Sequence, residues 1–269
     1  MLFLRRTFLE GVGGTAARFL SGGSGTATST VTAQTIRITV SGVDILILIP
    51  AGMPTPAYLV YYHSGVGDDR ESLVADGLKQ TCVTAFRAAG YILMGISAGN
   101  NWGNQAALNA YVTAYNYLAS QYSIAGTLIW SQSMGGCAGL LNLSAAAYPN
   151  IKGWLGTYPV CSLQNLYSAG TYAGQIDVAY NIPGGGSYAT QTAGHDPLLR
   201  TAASFPYRMR WYASPGDTVV NEAGNSTAMV ALVNGIAIEN VLVPCTGDHG
   251  DPTHFQPTDY VTFAQRCFA

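Results

Sequence analysis

Three side chains in this sequence have the types and the order needed to turn an alcohol into a nucleophile. Ser133 lies in Trp130-Ser131-Gln132-Ser133-Met134-Gly135-Gly136. Before it, Thr127-Leu128-Ile129-Trp130 reads as the end of a buried strand; after it, Cys137-Ala138-Gly139-Leu140-Leu141-Asn142-Leu143 reads as a helix packed closely on a sheet. A serine on so tight a strand-to-helix turn takes strained backbone angles, and the residues two places to either side must be small to clear the neighbouring element. Ser131 and Gly135 meet that condition. The hydroxyl is too weak an acid to ionise unaided, so an imidazole must accept its proton and a carboxylate must orient the imidazole.

Both groups follow in chain order. Residues 208–213 read as a strand that runs into Ser214-Pro215-Gly216-Asp217-Thr218-Val219-Val220, with Asp217 on a tight turn. A last short strand at 240–244 leads into Thr246-Gly247-Asp248-His249-Gly250-Asp251-Pro252-Thr253-His254. Serine, acid and histidine, each after a successive strand, reach the same edge of a parallel sheet. His249 and its alternative His254 are both candidates for the base. Asp248 and Asp251 read as loop caps. These four side chains could also offer nitrogen and oxygen ligands to a divalent ion for metal-assisted hydrolysis. However, their loop spacing differs from the i, i+4 spacing of helical ligands, and the chain has no Cys-x-x-Cys pair.

At four places the sequence resembles the α/β-hydrolase superfamily, over about residues 35–269. Ser131 to Gly135 is similar to the G-x-S-x-G turn, with Ser131 in place of the first glycine. Gly216-Asp217-Thr218-Val219-Val220 is similar to the acid turn, and Gly247-Asp248-His249-Gly250 to the histidine loop. Tyr61-Tyr62-His63-Ser64-Gly65-Val66-Gly67 resembles the H-G-x-G oxyanion loop, with Ser64 replacing a glycine. The resemblance implies an α/β fold with a mainly parallel central sheet, helices on both faces and a small cap insertion. It also implies a serine esterase with Ser133 as nucleophile, His249 as base and Asp217 behind it. The backbone N–H groups of Met134 and of one residue from Ser64 to Val66, Gly65 being favoured, would hold the oxyanion. No cofactor and no metal is implied. A peptidase or amidase, or a silent glycan-binding member, are the alternatives.

The remaining pattern supplies the elements that must position these groups. Residues 35–40 and 44–49 suggest a hairpin across Ser41-Gly42-Val43, followed by a strand at 57–62. Residues 72–89 look helical, 91–96 form a buried strand, and 104–122 form a helix leading to the nucleophile strand. His63 is expected to end the third strand and support the oxyanion loop by hydrogen bonding; His195 reads as a satisfied loop histidine. Residues 162–200, with Tyr167, Tyr172, Tyr180, Tyr188 and Pro183-Gly184-Gly185-Gly186, break the alternation and read as a cap over the site.

With 269 residues the chain suits one domain at 33–269 after a leader at 1–32. A net charge of −2 with only 10% charged residues leaves no basic field for nucleic acid. The neutral, tyrosine-rich composition, with 17 Tyr, suits a small-molecule or glycan ester and a secreted or virion-exposed setting, with a cytoplasmic one as the alternative. A monomer is expected, and no run of eighteen apolar residues supports a membrane span. Leu4-Arg5-Arg6-Thr7-Phe8-Leu9-Glu10 resembles a twin-arginine export signal, although Arg18 interrupts its apolar stretch. Of five cysteines, Cys245 and Cys267 bracket the final strand and helix and are the expected bridge, while Cys137 reads as a small core residue.

Overall fold

Residues 45–49 are apolar without interruption, which suits a strand covered on both faces rather than one half-exposed to water. In the computed structural model, which describes residues 31–75, 77–182 and 187–269, that run lies within β2 (Val43–Ile49). It pairs antiparallel with β1 (Gln34–Val40), from Gln34 opposite Ile49 to Val40 opposite Val43. The joining turn is two residues long, Ser41 and Gly42, both at positive φ (50° and 81°), the backbone that matches the twist of a two-residue hairpin. The twin-arginine motif and nearly all of the expected leader fall outside the described residues.

The chain continues through β3 (Ala57–His63), α1 (Ser72–Ala75), α2 (Gly77–Ala88), β4 (Ile92–Ile96), α3 (Gln105–Gln121) and β5 (Ile124–Gln132). It then forms α4 (Gly135–Ser144), β6 (Ile151–Thr157), α5 (Leu163–Ala169), α6 (Ala173–Ala179) and α7 (Tyr188–Gln191). β7 (Arg208–Ala213), α8 (Ala228–Leu232), β8 (Glu239–Pro244) and α9 (Pro257–Phe268) complete it. The helix expected over 72–89 is two helices, the second opening on Gly77, a residue that disfavours a helix interior.

Among the described residues the strands form one eight-stranded sheet in the order β1-β2-β4-β3-β5-β6-β7-β8. Pairings from β4 through β8 are parallel, so β3, β5, β6, β7 and β8 all end at one edge. Side chains two apart share a face, and this period divides the core in two. Ile45, Ile47, Tyr61, Met94, Ile129, Trp154 and Trp211 pack on one face with Tyr111 and Leu118 of α3 and Leu140 of α4. Leu46, Leu48, Val60, Tyr62, Leu128 and Trp130 pack on the other with Phe86 of α2 and Tyr260 and Phe263 of α9. Fully burying one such side chain contributes about 1.5–3 kcal/mol, so each layer holds the shared edge firmly.

A third cluster sits above that edge. Leu163 and Leu166 of α5, Ile176 of α6, Tyr180 and Ile182 pack on Trp102, Met134 and Cys137, so the segment after β6 lies over the start of α4 as short helices. The Pro183 to Gly186 part of this segment is outside the described residues.

The five cysteines are all buried and free, which corrects the expected Cys245–Cys267 bridge. The two thiols face different neighbours: Cys245 Sγ lies against the Val243 carbonyl oxygen, while Cys267 Sγ fills the space over Gly153, only 2.5 Å from where a Cβ there would stand. Burial pushes both thiols up to about 12, so they behave as small apolar groups.

Candidate active site

β5 delivers the chain to Ser133, which has φ +49°, a left-handed backbone that costs a non-glycine residue roughly 1–2 kcal/mol. The surroundings impose it. Ser133 N–H donates to the Thr157 carbonyl (3.1 Å), and the Ser133 carbonyl accepts from Gly136 N–H and Val160 N–H (both 2.8 Å). Gly135 must lack a side chain, because a Cβ would lie 2.1 Å from the His63 carbonyl oxygen. Ser131, which departs from the usual glycine, is accommodated by a different glycine. Its Oγ accepts a hydrogen bond from Trp154 Nε1 (3.0 Å) and points at α4, where a Cβ on Gly139 would stand 2.0 Å from it.

The turn presents the Ser133 hydroxyl to a histidine backed by a carboxylate. Ser133 Oγ is 2.9 Å from His249 Nε2, and His249 Nδ1 is 2.8 Å from Asp217 Oδ2. The other oxygen of Asp217 accepts from Val219 N–H and Val220 N–H, each at 2.8 Å, so the buried carboxylate is fixed in rotation. With the carboxylate facing Nδ1, the ring carries its proton there and turns the Nε2 lone pair to the serine. Asp248 Oδ1 accepts from Thr218 N–H (2.8 Å) and His249 N–H (2.7 Å), tying the histidine loop to the acid turn. These hydrogen bonds hold its carboxyl below the ordinary range.

His254 is elsewhere. Its ring is buried, Nδ1 lies 3.0 Å from the Asp251 carbonyl, and Nε2 is sealed with no hydrogen-bond partner among the described residues. Tyr158 stands between the two imidazoles, 4.3 Å from the His249 ring and 5.0 Å from that of His254. Among the described residues no three His, Cys, Asp or Glu side chains gather as metal ligands. No described helix is long and apolar enough to cross a membrane.

A cavity of about 170 Å³ opens on the serine, lined by Gly65, Val66, Gln132, Ser133, Tyr158, Tyr172 and His249. A larger concavity of about 570 Å³ between α2 and α9 contains none of these residues. The loop after β3 borders the cavity through Gly65 and Val66, and most of its N–H groups are already engaged. Ser64 N–H donates to Tyr111 Oη (3.3 Å), Gly65 N–H to Asp68 Oδ2 (3.2 Å) and Gly67 N–H to Asn100 Oδ1 (2.9 Å). Gly65, the favoured second donor, thus has its N–H turned to Asp68. Val66 N–H has no acceptor among the described residues, and neither does Met134 N–H at the start of α4.

His63 ends β3, as expected, but its ring makes no hydrogen bond to the loop that follows among the described residues. It stacks on Tyr111 at 3.8 Å, and Tyr111 makes the contact to Ser64. Burial pushes the His63 imidazole down to about 3. Cys137 is buried in α4 with its thiol raised well above the ordinary range, and His195 Nδ1 lies 3.2 Å from the Ala193 carbonyl oxygen, within its own loop.

Residues not singled out in the sequence complete the site. Asp68 Oδ2 also meets Tyr62 Oη (2.7 Å) and Lys79 Nζ (2.9 Å), and Tyr62 Oη lies 2.8 Å from the Gln132 carboxamide. Lys79 was legible in principle. With Cys82, Val83 and Phe86 at i+3, i+4 and i+7 it lies on the apolar face of α2, where a charge needs a buried partner.

The sequence matches no family model and no curated protein. Solved structures do match. An esterase from Pyrococcus furiosus is 12% identical with a TM-score of 0.64, over 94% of this chain and 97% of its own. A fluorophosphonate-binding serine hydrolase of Staphylococcus aureus is 9% identical with a TM-score of 0.64, over 88% and 98%. A puromycin-hydrolyzing peptidase of Mycobacterium tuberculosis is 17% identical with a TM-score of 0.67, over 90% of this chain but 39% of its own. The chain likewise spans 37% of the length of a prolyl endopeptidase that it matches. The parallel sheet, its flanking helices and these likenesses together give the chain the α/β-hydrolase fold.

Proposed function

We propose that this chain is a serine hydrolase that cleaves small carboxylic esters through an acyl-enzyme. One observation carries the reading: the unbroken run from Ser133 Oγ through His249 to Asp217, at 2.9 and 2.8 Å, on the rim of a cavity. As Ser133 attacks the acyl carbon, its proton passes to His249 Nε2, and Asp217 stabilises the imidazolium. The oxyanion receives Met134 N–H and Val66 N–H, each such donor being worth roughly 3–4 kcal/mol of barrier. His249 returns the proton to the leaving alcohol. Water then enters by the same route in reverse and releases the acid.

The cavity argues for a short acyl group, since about 170 Å³ is below the usual range for sites that enclose larger ligands. Hydrolysis of p-nitrophenyl acetate, butyrate and octanoate by the parent and by Ser133→Ala tests this. We expect turnover of the short esters to exceed that of the octanoate and to vanish in the variant. Equal rates in parent and variant would remove Ser133 as nucleophile. Amide cleavage is the second reading, supported by the fold shared with the puromycin-hydrolyzing peptidase. Faster turnover of aminoacyl anilides than of matched esters would favour it.

A further inference from the structure

The cavity beside Ser133 contains a polar group that the proposed reaction leaves unused. Gln132 directly precedes the nucleophile, is only 9% exposed, and lines the cavity. One end of its carboxamide, positioned as Oε1, lies 2.8 Å from Tyr62 Oη. The other end makes no hydrogen bond among the described residues and is not sealed from solvent.

Which end of the amide is the acceptor follows from counting protons. Tyr62 has one, and its oxygen stands 2.7 Å from Asp68 Oδ2 as well. That carboxylate oxygen, already facing the Lys79 ammonium at 2.9 Å and Gly65 N–H at 3.2 Å, only accepts. Two oxygens at 2.7 Å therefore share the phenolic hydrogen, which points at Asp68. Burial, reinforced by Asp68, holds the Tyr62 phenol well above its ordinary range, so the hydrogen stays on Tyr62. The lone pair left on Tyr62 faces Gln132, and only an amide N–H can answer it. Carboxamide oxygen and nitrogen occupy interchangeable shapes, so the hydrogen-bond partners decide between them. The nitrogen belongs on Tyr62 and the carbonyl oxygen in the cavity.

We propose that Gln132 is a specificity residue that offers a hydrogen-bond acceptor to the substrate, so that the site prefers acyl groups with a hydroxyl or amine close to the carbonyl. Closeness follows from size, because Ser133 and Gln132 share one cavity of about 170 Å³. Tyr62, Asp68 and Lys79 act as positioning residues that fix the amide. A relaxed amide could turn either way, whereas this one has a single orientation. The proposal rests on the esterase reading only for where the acyl carbon sits.

The test compares isosteric acyl pairs: methyl glycolate against methyl propionate, and methyl 3-hydroxypropionate against methyl butyrate. Each rate is divided by the rate with hydroxide ion. In the parent, kcat/KM for the hydroxylated member of at least one pair should exceed that of its partner on the order of tenfold, the yield of one net hydrogen bond. Gln132→Met and Tyr62→Phe should each bring the ratio near one. A purely structural role would lower both members alike and leave the ratio unchanged. In parallel, glycolamide and propionamide are titrated into Ser133→Ala protein by NMR, which needs no turnover. Tighter binding of glycolamide there, lost on adding Gln132→Met, supports the acceptor even if no ester is cleaved, and the failure would then lie with the esterase reading. Parity in both pairs and for both amides would overturn the proposal.

Discussion

His249 and His63 stand at the same edge of the sheet and are built alike, yet they are chemically opposite. Each has Nε2 turned to a hydroxyl: Ser133 Oγ at 2.9 Å for His249 and Tyr148 Oη at 3.2 Å for His63. Each has Nδ1 turned to an oxygen: the Asp217 carboxylate at 2.8 Å in one case, the Tyr61 carbonyl at 3.3 Å in the other. What differs is the charge behind the ring and access to water. His249 has an anion at its back and opens on the cavity; His63 has a neutral carbonyl, is fully buried and is pushed down to about 3. A histidine beside a hydroxyl is therefore a poor sign of catalysis until a fixed carboxylate and an open face accompany it.

Exchanging the features that separate the two histidines gives the expected effects, the largest first. Asp217→Asn replaces the anion behind His249 with a neutral group and favours the wrong tautomer, so kcat should fall roughly ten-thousandfold, measured with p-nitrophenyl acetate, while the fold persists. A fall of less than tenfold would mean that the carboxylate does not set the tautomer.

His63 should reveal itself in stability rather than in rate. Its folded value of about 3 lies below the ordinary 6.5, so between those values the unfolded chain binds a proton that the folded chain refuses. Stability therefore falls as pH drops from about 6.5 towards 3, by up to about 4 kcal/mol from this group. Denaturant melts across that window should show a shallower pH slope for His63→Gln than for the parent, whatever the offset between them. Identical slopes would contradict the buried neutral ring.

Smaller effects follow from disturbing the supports of the serine and the histidine. Gly139→Ala drives a Cβ into Ser131 Oγ and should cost about 1–3 kcal/mol in thermal or urea unfolding, with Ser131→Gly recovering much of the loss. Asp248→Ala frees the histidine loop from Thr218 and should lower kcat/KM only a few-fold. In the parent, the Asp248 contribution is present above the ordinary carboxylate value and fades as pH falls through its lowered one.

Much of this was legible in the sequence, because strand order and turn chemistry are local. The hairpin and the bounds of β7 follow from alternation and from Gly and Pro placement, although Val43, expected in the turn, opens β2 and leaves a turn of only Ser41 and Gly42. That Ser133, Asp217 and His249 come together was readable for the same reason, each lying on a short turn at the end of a strand. The rest depended on contacts between distant segments. Whether Gly65 or Val66 keeps a free N–H depends on Asp68, which is held by Lys79 of α2. That Ser131 fits where a glycine was expected depends on Gly139, eight residues along and across the strand-to-helix packing. The cysteine pairing failed because bracketing an element in sequence says nothing about which way two thiols point.

Covalent labelling by a fluorophosphonate, followed by intact mass and peptide mapping, tests whether His249 activates Ser133, since the reagent needs an activated serine and no particular substrate. A single adduct on Ser133 is expected, formed at least a thousandfold more slowly in His249→Ala and at nearly the parent rate in His254→Gln. An adduct on another residue, or labelling of Ser133 that is indifferent to loss of His249, would contradict it.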